Sequence, residues 1–172
     1  MARCFRHASV MLRASIMRRA IVVFLASGAY LGYAPVASGT FGTLAGVALY
    51  PVFDRLRLLS PAIYLLSFAA LVAAAVILAG EAEKIFDDHD SGLITIDEVA
   101  GYIAATLFIE PTLATVLASF FLFRLFDVLK LWPASYFDQE VEGGAGVVLD
   151  DVISGFYANL TLRVLGWLTG IC

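Results

Sequence analysis

Apolar residues run along this chain in long blocks separated by short polar punctuation. Ala62–Gly80 (AIYLLSFAALVAAAVILAG) holds 19 residues without a charge, about the length that crosses a hydrocarbon core of roughly 30 Å. Ala20–Phe53 is uncharged for 34 residues, too long for one helix, and is punctuated by Pro35, Gly39 and Gly42. It reads as two apolar segments meeting at a turn near residues 34–39. The pattern predicts helices at about 18–34, 40–56, 61–86, 95–109, 112–131 and 149–170. Glu110-Pro111 interrupts the stretch 99–123, which is expected to form a helix pair partly in the membrane interface. Residues 132–148 form the longest polar connection, with Pro133, Gly143, Gly144 and Gly146 as breakers. No strand-like alternation is sustained, and no repeat shows. Apolar residues surround the helices on nearly all sides, as buried or lipid-facing segments require. The expected fold is all-α, a compact multi-helix integral membrane protein.

Composition agrees: 61% of the 172 residues are hydrophobic and 15% charged, with mean hydropathy +0.89, against about 45–50% and 25% in a soluble domain. Charge is distributed unevenly. Five of the eleven basic residues (Arg3, Arg6, Arg13, Arg18, Arg19) precede the first apolar run, whereas fourteen of the fifteen acids lie between Glu81 and Asp151. Such a basic flank favours cytoplasmic retention. It also imitates a targeting segment, and Met17 offers a second plausible start. Residues 1–19 are therefore set apart as a basic arm preceding a membrane domain over 20–172. Cys4 and Cys172 have no metal or redox spacing.

The acids fall in three clusters bordering apolar segments. In residues 81–102, Glu83, Asp87 and Asp90 share a helical face if the helix continues that far, and Asp97-Glu98 opens the next helix. Acids at a helix start also simply suit the dipole. Asp87 to Glu98 imitates a calcium loop, but His89 stands where a hard oxygen ligand belongs, and calcium sensing is not expected. In FRLFDVLKLWP, residues 123–133, Arg124, Asp127 and Lys130 recur every third residue. They either neutralise one another or give a carboxylate to a metal and two cations to a phosphate. The third cluster is Asp150-Asp151. Adjacent helical residues point about 100° apart, so the two cannot serve one partner face. Oxygen-only ligands favour magnesium, manganese or calcium over zinc. In ASGTFGTLAG, residues 37–46, Gly39, Thr40 and Gly42 could offer a phosphate backbone N–H groups and a hydroxyl. Gly42-x-x-x-Gly46 is equally a helix-packing motif. From the residues alone, a phosphate-handling enzyme and a divalent-cation transporter or channel both remain open.

Four ordered motifs resemble the phosphatidylglycerophosphatase A family: SGTFGTLAG (38–46), HDSGLITIDEVAG (89–101), FRLFDVLKLWP (123–133) and FDQEVEGGAGVVLDDVISG (137–155). The last is the most specific. The likeness spans roughly residues 24–160, and departs at Leu131, where the family usually has proline after the lysine. It implies a magnesium-dependent phosphatase of the bacterial inner membrane, facing the cytoplasm, that converts phosphatidylglycerophosphate to phosphatidylglycerol and phosphate. Membrane lipids are the expected surroundings, and no nucleic-acid partner is expected. The resemblance implies that Asp97, Glu98, Asp127, Asp150 and Asp151 form the catalytic and metal-ligand set. Arg124 and Lys130 would hold phosphate charge, with Gly39, Thr40 and Gly42 beside them. No cysteine or serine–histidine pair is placed to form a phosphoenzyme, which favours direct attack by water, with an aspartate nucleophile as the alternative.

Overall fold

The computed structural model describes residues 15–88 and 91–169. The chain before residue 15, with most of the basic arm, and His89 and Asp90 of the calcium-loop-like stretch lie outside the described residues. The fold is all-α, and no strand occurs among the described residues. Helix α1 covers residues 15–26, followed by a 3-10 turn at Leu31–Tyr33, α2 Ser38–Leu59, α3 Pro61–Phe86, α4 Ile96–Ala105, α5 Leu113–Leu129, α6 Ala134–Glu140 and α7 Gly144–Thr169.

Helix α4 is the hub. Although only 10 residues long, it is packed against α2, α3, α5 and α7, and every residue from Val99 to Ala105 is buried. Small residues let its neighbours approach. A Cβ on Gly101 would lie 2.5 Å from the Phe123 ring and 2.8 Å from the Asp151 carbonyl, and one on Gly46 would lie 2.9 Å from Tyr102 Cβ. The end of α4 remote from its acids is closed by buried tyrosines. Tyr50 donates to the Ile109 carbonyl (2.6 Å), Tyr102 to the Val116 carbonyl (3.2 Å), and Tyr64 accepts from the Phe108 N–H (3.3 Å). Asn159 and Arg163 of α7 donate to the Leu107 carbonyl there. Buried backbone groups that α4 leaves open at its exit are thereby satisfied.

Four departures from the sequence expectation stand out, the first being that α4, expected to reach 109, ends at Ala105. Helix α1 stops at residue 26 rather than 34: the Thr95 N–H takes the Ala26 carbonyl (2.9 Å), and Gly28, Ala29 and Tyr30 all adopt positive φ. Residues 134–140, read as connection, form α6. Helix α7 begins at Gly144, not 149. Gly144 and Gly146 are not breakers. A side chain at Gly144 would strike the Val76 carbonyl and Gly80 on α3, and one at Gly146 the Val141 carbonyl. The break at Glu110-Pro111 is as expected, and Thr112 then caps α5 by a reciprocal bond with Thr115.

Helix α3 is 26 residues long, and among the described residues it is the one helix long and apolar enough to cross a membrane. Its start lies with Tyr64 near Phe108, and its last turns lie beside the first turn of α7 through Gly80 and Gly144.

Candidate active site

The site is assembled at the N-terminal end of α4. Asp97 and Glu98 stand in its first turn, where the helix dipole favours negative charge. Asp97 Oδ1 accepts the Glu98 N–H at 3.0 Å. Helix α7 repeats the device: Asp150 Oδ1 accepts the Asp151 N–H at 2.8 Å. In each pair the first carboxylate braces the second residue's backbone. Asp97, Asp150 and Asp151 are all buried. Ligand oxygens of Asp97, Glu98 and Asp151 lie within 4.8 Å of one another. Asp127 and Lys130 border the same cavity of about 160 Å³, together with Asp150, Ser91 and Gly92. Larger hollows, about 370 Å³ between α1 and α3 and about 570 Å³ beside Glu83 and Glu142, do not contain the converging carboxylates.

The five acids predicted as ligands thus reach one cavity but divide in their pairing. Asp127 holds Arg124 (2.6 Å), one turn earlier on α5, and the same guanidinium stands 4.0 Å from Glu98. Asp150 accepts from Lys130 Nζ at 2.7 Å, and Asp138 of α6 accepts from the same ammonium. Lys130 leaves the α5 stripe because it ends that helix in the left-handed conformation (φ 42). Asp150 and Asp151 point to different partners, as the 100° rule requires.

Gly39 and Gly42 of α2 pack against the acids. A Cβ on Gly39 would collide with the Glu98 carboxylate and lie 2.9 Å from Arg124 Nη1, and one on Gly42 would lie 2.9 Å from Glu98 Oε2. Thr40 is on the same first turn, its N–H committed to the Ala37 carbonyl at 2.9 Å. Neither Asp138, although it lies within the fourth motif, nor Thr95 stands out in the sequence. The Thr95 hydroxyl and Glu98 Oε2 are both buried without a hydrogen-bond partner, where a Thr-x-x-Glu sequence would ordinarily form a capping box.

None of these groups lies on α3. Burial first, then Asp97 and Asp127, push the Glu98 carboxyl well above its usual range against the pull of Arg124. Burial and then Asp127, Asp97, Asp150 and Glu98 do the same to Asp151. Asp150 is pushed up to about 7 by burial, with Lys130 opposing. Burial would lower the Lys130 ammonium, but its bonds to Asp138 and Asp150 prevail and raise it. The carboxylates therefore sit where ionisation costs free energy and a cation would restore it. The donors are all hard oxygens and Glu98 Oε2 lacks a hydrogen-bond partner, so the residues fit a hard divalent cation.

The described residues thus form a helical protein with a buried carboxylate cluster that could hold a cation beside a small polar cavity; Lys130 lines that cavity, and Arg124 stands against Asp127 and Glu98. Sequence comparison gives the family. The phosphatidylglycerophosphatase A family profile matches residues 24–166, and the chain belongs to that family. It is 38% identical over 140 residues to phosphatidylglycerophosphatase A of Haemophilus influenzae, covering 80% of this chain and 84% of that protein. It is 34% identical over 151 residues to phosphatidylglycerophosphatase A of Escherichia coli, covering 86% of each. A Bacteroides thetaiotaomicron protein, provisionally named a phosphatidylinositol-3-phosphatase, is 30% identical over 159 residues, 86% of this chain and 95% of that protein. No solved structure matches the chain.

Proposed function

We propose that this chain is a magnesium-dependent membrane phosphatase that hydrolyses phosphatidylglycerophosphate to phosphatidylglycerol and inorganic phosphate. Family membership supports the activity, and one observation carries the site: carboxylates of α4 and α7 converge within 4.8 Å beside two cations. Two carboxylates at that separation repel by on the order of 3 kcal/mol at an effective dielectric near 20. Asp97, Glu98 and Asp151 would hold the ion, with Asp127 and Asp150 adding negative charge from the cavity wall. When bound, magnesium would neutralise phosphoryl oxygens and make water more acidic.

The chain's other groups would handle the phosphate. Arg124 presents a planar fork of donors and Lys130 a point charge, and each is steadied by one carboxylate at the cavity wall. The Gly39 turn would bring the N-terminus of α2 to the same anion, because a side chain there would occupy the space beside Glu98 and Arg124. A cation transporter has little use for these two cations beside its carboxylates, and the family adds weight to the enzyme.

The membrane reading rests on α3. At 1.5 Å per residue its 26 residues span about 39 Å, and only 17% of its most apolar window is buried inside the protein. Its C-terminal turns lie on the same side as the site, and there Glu81 pairs with Arg18 (2.5 Å) and Lys84 (3.1 Å). Basic residues at that end favour the cytoplasm, which supports a site open to the cytoplasmic leaflet.

The test is phosphate release by purified protein from phosphatidylglycerophosphate, phosphatidylinositol-3-phosphate and phosphatidic acid, with and without magnesium. We expect phosphatidylglycerophosphate to be turned over fastest, and only with magnesium. Preference for the inositol lipid would reassign the substrate. Magnesium flux across vesicles without phosphate release would establish the transporter.

A further inference from the structure

Lys130 is gripped from two sides. Asp150 holds it from inside the cavity, at 2.7 Å, while Asp138 of α6 holds the same Nζ from a position that does not line the cavity. The lysine's own backbone is also fixed: its N–H donates to the Phe126 carbonyl at 2.8 Å, and its φ of 42 turns it off the α5 helix. Helix α6 in turn is seated on α7, with Ala134 fully buried, and the Tyr157 hydroxyl of α7 donates to the Trp132 carbonyl at 2.7 Å just before α6. The short helix is thus a bracket that, among the described residues, makes its charged contact with a lysine at the cavity wall.

We infer that Asp138 is a positioning residue that sets where the Lys130 ammonium stands for the substrate phosphate. It acts through the lysine. A four-carbon side chain with three rotatable donors has no preferred direction of its own, and with Asp150 alone it would follow that carboxylate further toward the carboxylate cluster. Asp138 opposes that pull, so the ammonium stays between the two acids, at the cavity wall, where a phosphate can share it. Asp138 lies outside both the converging carboxylates and the cavity lining, and on this placement it does not contact the substrate. The inference rests on the phosphatase reading and adds a residue to it.

A double-mutant cycle on phosphatidylglycerophosphate hydrolysis with saturating magnesium tests this. Asp138→Ala should lower kcat/KM about tenfold, chiefly through KM, because it misplaces a group that contacts phosphate. In a Lys130→Ala background the same change should alter kcat/KM by less than about twofold, since there is no ammonium left to position. The magnesium concentration for half-maximal rate should not move. Asp138→Asn, which keeps the shape and one acceptor but not the charge, covers the case in which the alanine variant does not fold, and should show the same dependence on Lys130. An equal loss in both backgrounds, or no loss in either, overturns the inference while leaving the phosphatase reading intact. A wild-type protein that releases no phosphate overturns both.

Discussion

Glu98 concentrates the chemistry of this site in one side chain. It opens α4, stands 4.0 Å from Arg124, borders Gly39 and Gly42, and keeps one buried oxygen without a partner. Close packing explains the two glycines better than backbone freedom does: a Cβ on Gly39 would meet the Glu98 carboxylate and Arg124, and one on Gly42 would meet Thr95 as well as Glu98. Gly39→Ala therefore separates site geometry from stability. Alanine favours a helix over glycine by up to about 1 kcal/mol, yet its methyl would displace the Glu98 carboxylate and the Arg124 guanidinium. We expect phosphatase activity to fall by about tenfold or more with no loss of thermal stability, measured on the same purified sample. A variant that keeps full activity would show that the two side chains move aside without consequence.

At the scale of elements, the site depends on how closely α4 and α7 lie. A Cβ on Gly155 would strike the Gly101 carbonyl and lie 2.8 Å from Ala104 Cβ. Gly155→Ala should cost about 1–3 kcal/mol as overpacking, read from denaturant unfolding, and should lower activity by shifting Asp151 relative to Asp97. Elements with local signals were legible in the sequence. Ser60-Pro61 starts α3, and Pro111-Thr112 precedes α5. Those set by distant partners were not: α1 ends where Thr95 takes the Ala26 carbonyl, and α7 begins early because its glycines fit against α3 and Val141. The same division runs through the site. Acids and cations bordering apolar segments could be read as three clusters, which only the family resemblance joined into one set. Their pairing could not, because Lys130 reaches Asp138 and Asp150 only after leaving the helix that carries Arg124 and Asp127.

The molecule as a whole is a bundle with one chemically active end, and its stability should report the charge stored there. Glu98, Asp150 and Asp151 all have carboxyls raised by burial. A carboxyl with a raised folded-state pKa binds more protons folded than unfolded, so its contribution is fully present below the unfolded value near 4 and is lost as pH rises through the folded value. Metal-free protein should therefore lose thermal stability between about pH 5 and 8. Magnesium at 100 times its dissociation constant should restore about 2.7 kcal/mol. Thermal unfolding at both pH values, with and without the ion, checks both signs; a magnesium-free protein that grows more stable over that range would contradict the charge assignment.

The most direct measurement is phosphate release from phosphatidylglycerophosphate across a magnesium titration, comparing wild type with Asp151→Asn. The change removes a charge and one of the oxygens proposed to hold the cation, while leaving side-chain volume nearly constant. We expect magnesium-dependent release by the wild type and at least about a 100-fold loss in the variant, roughly 2.7 kcal/mol of barrier, at equal amounts of folded protein. Near-normal release by Asp151→Asn, or release by the wild type that ignores magnesium, would contradict it.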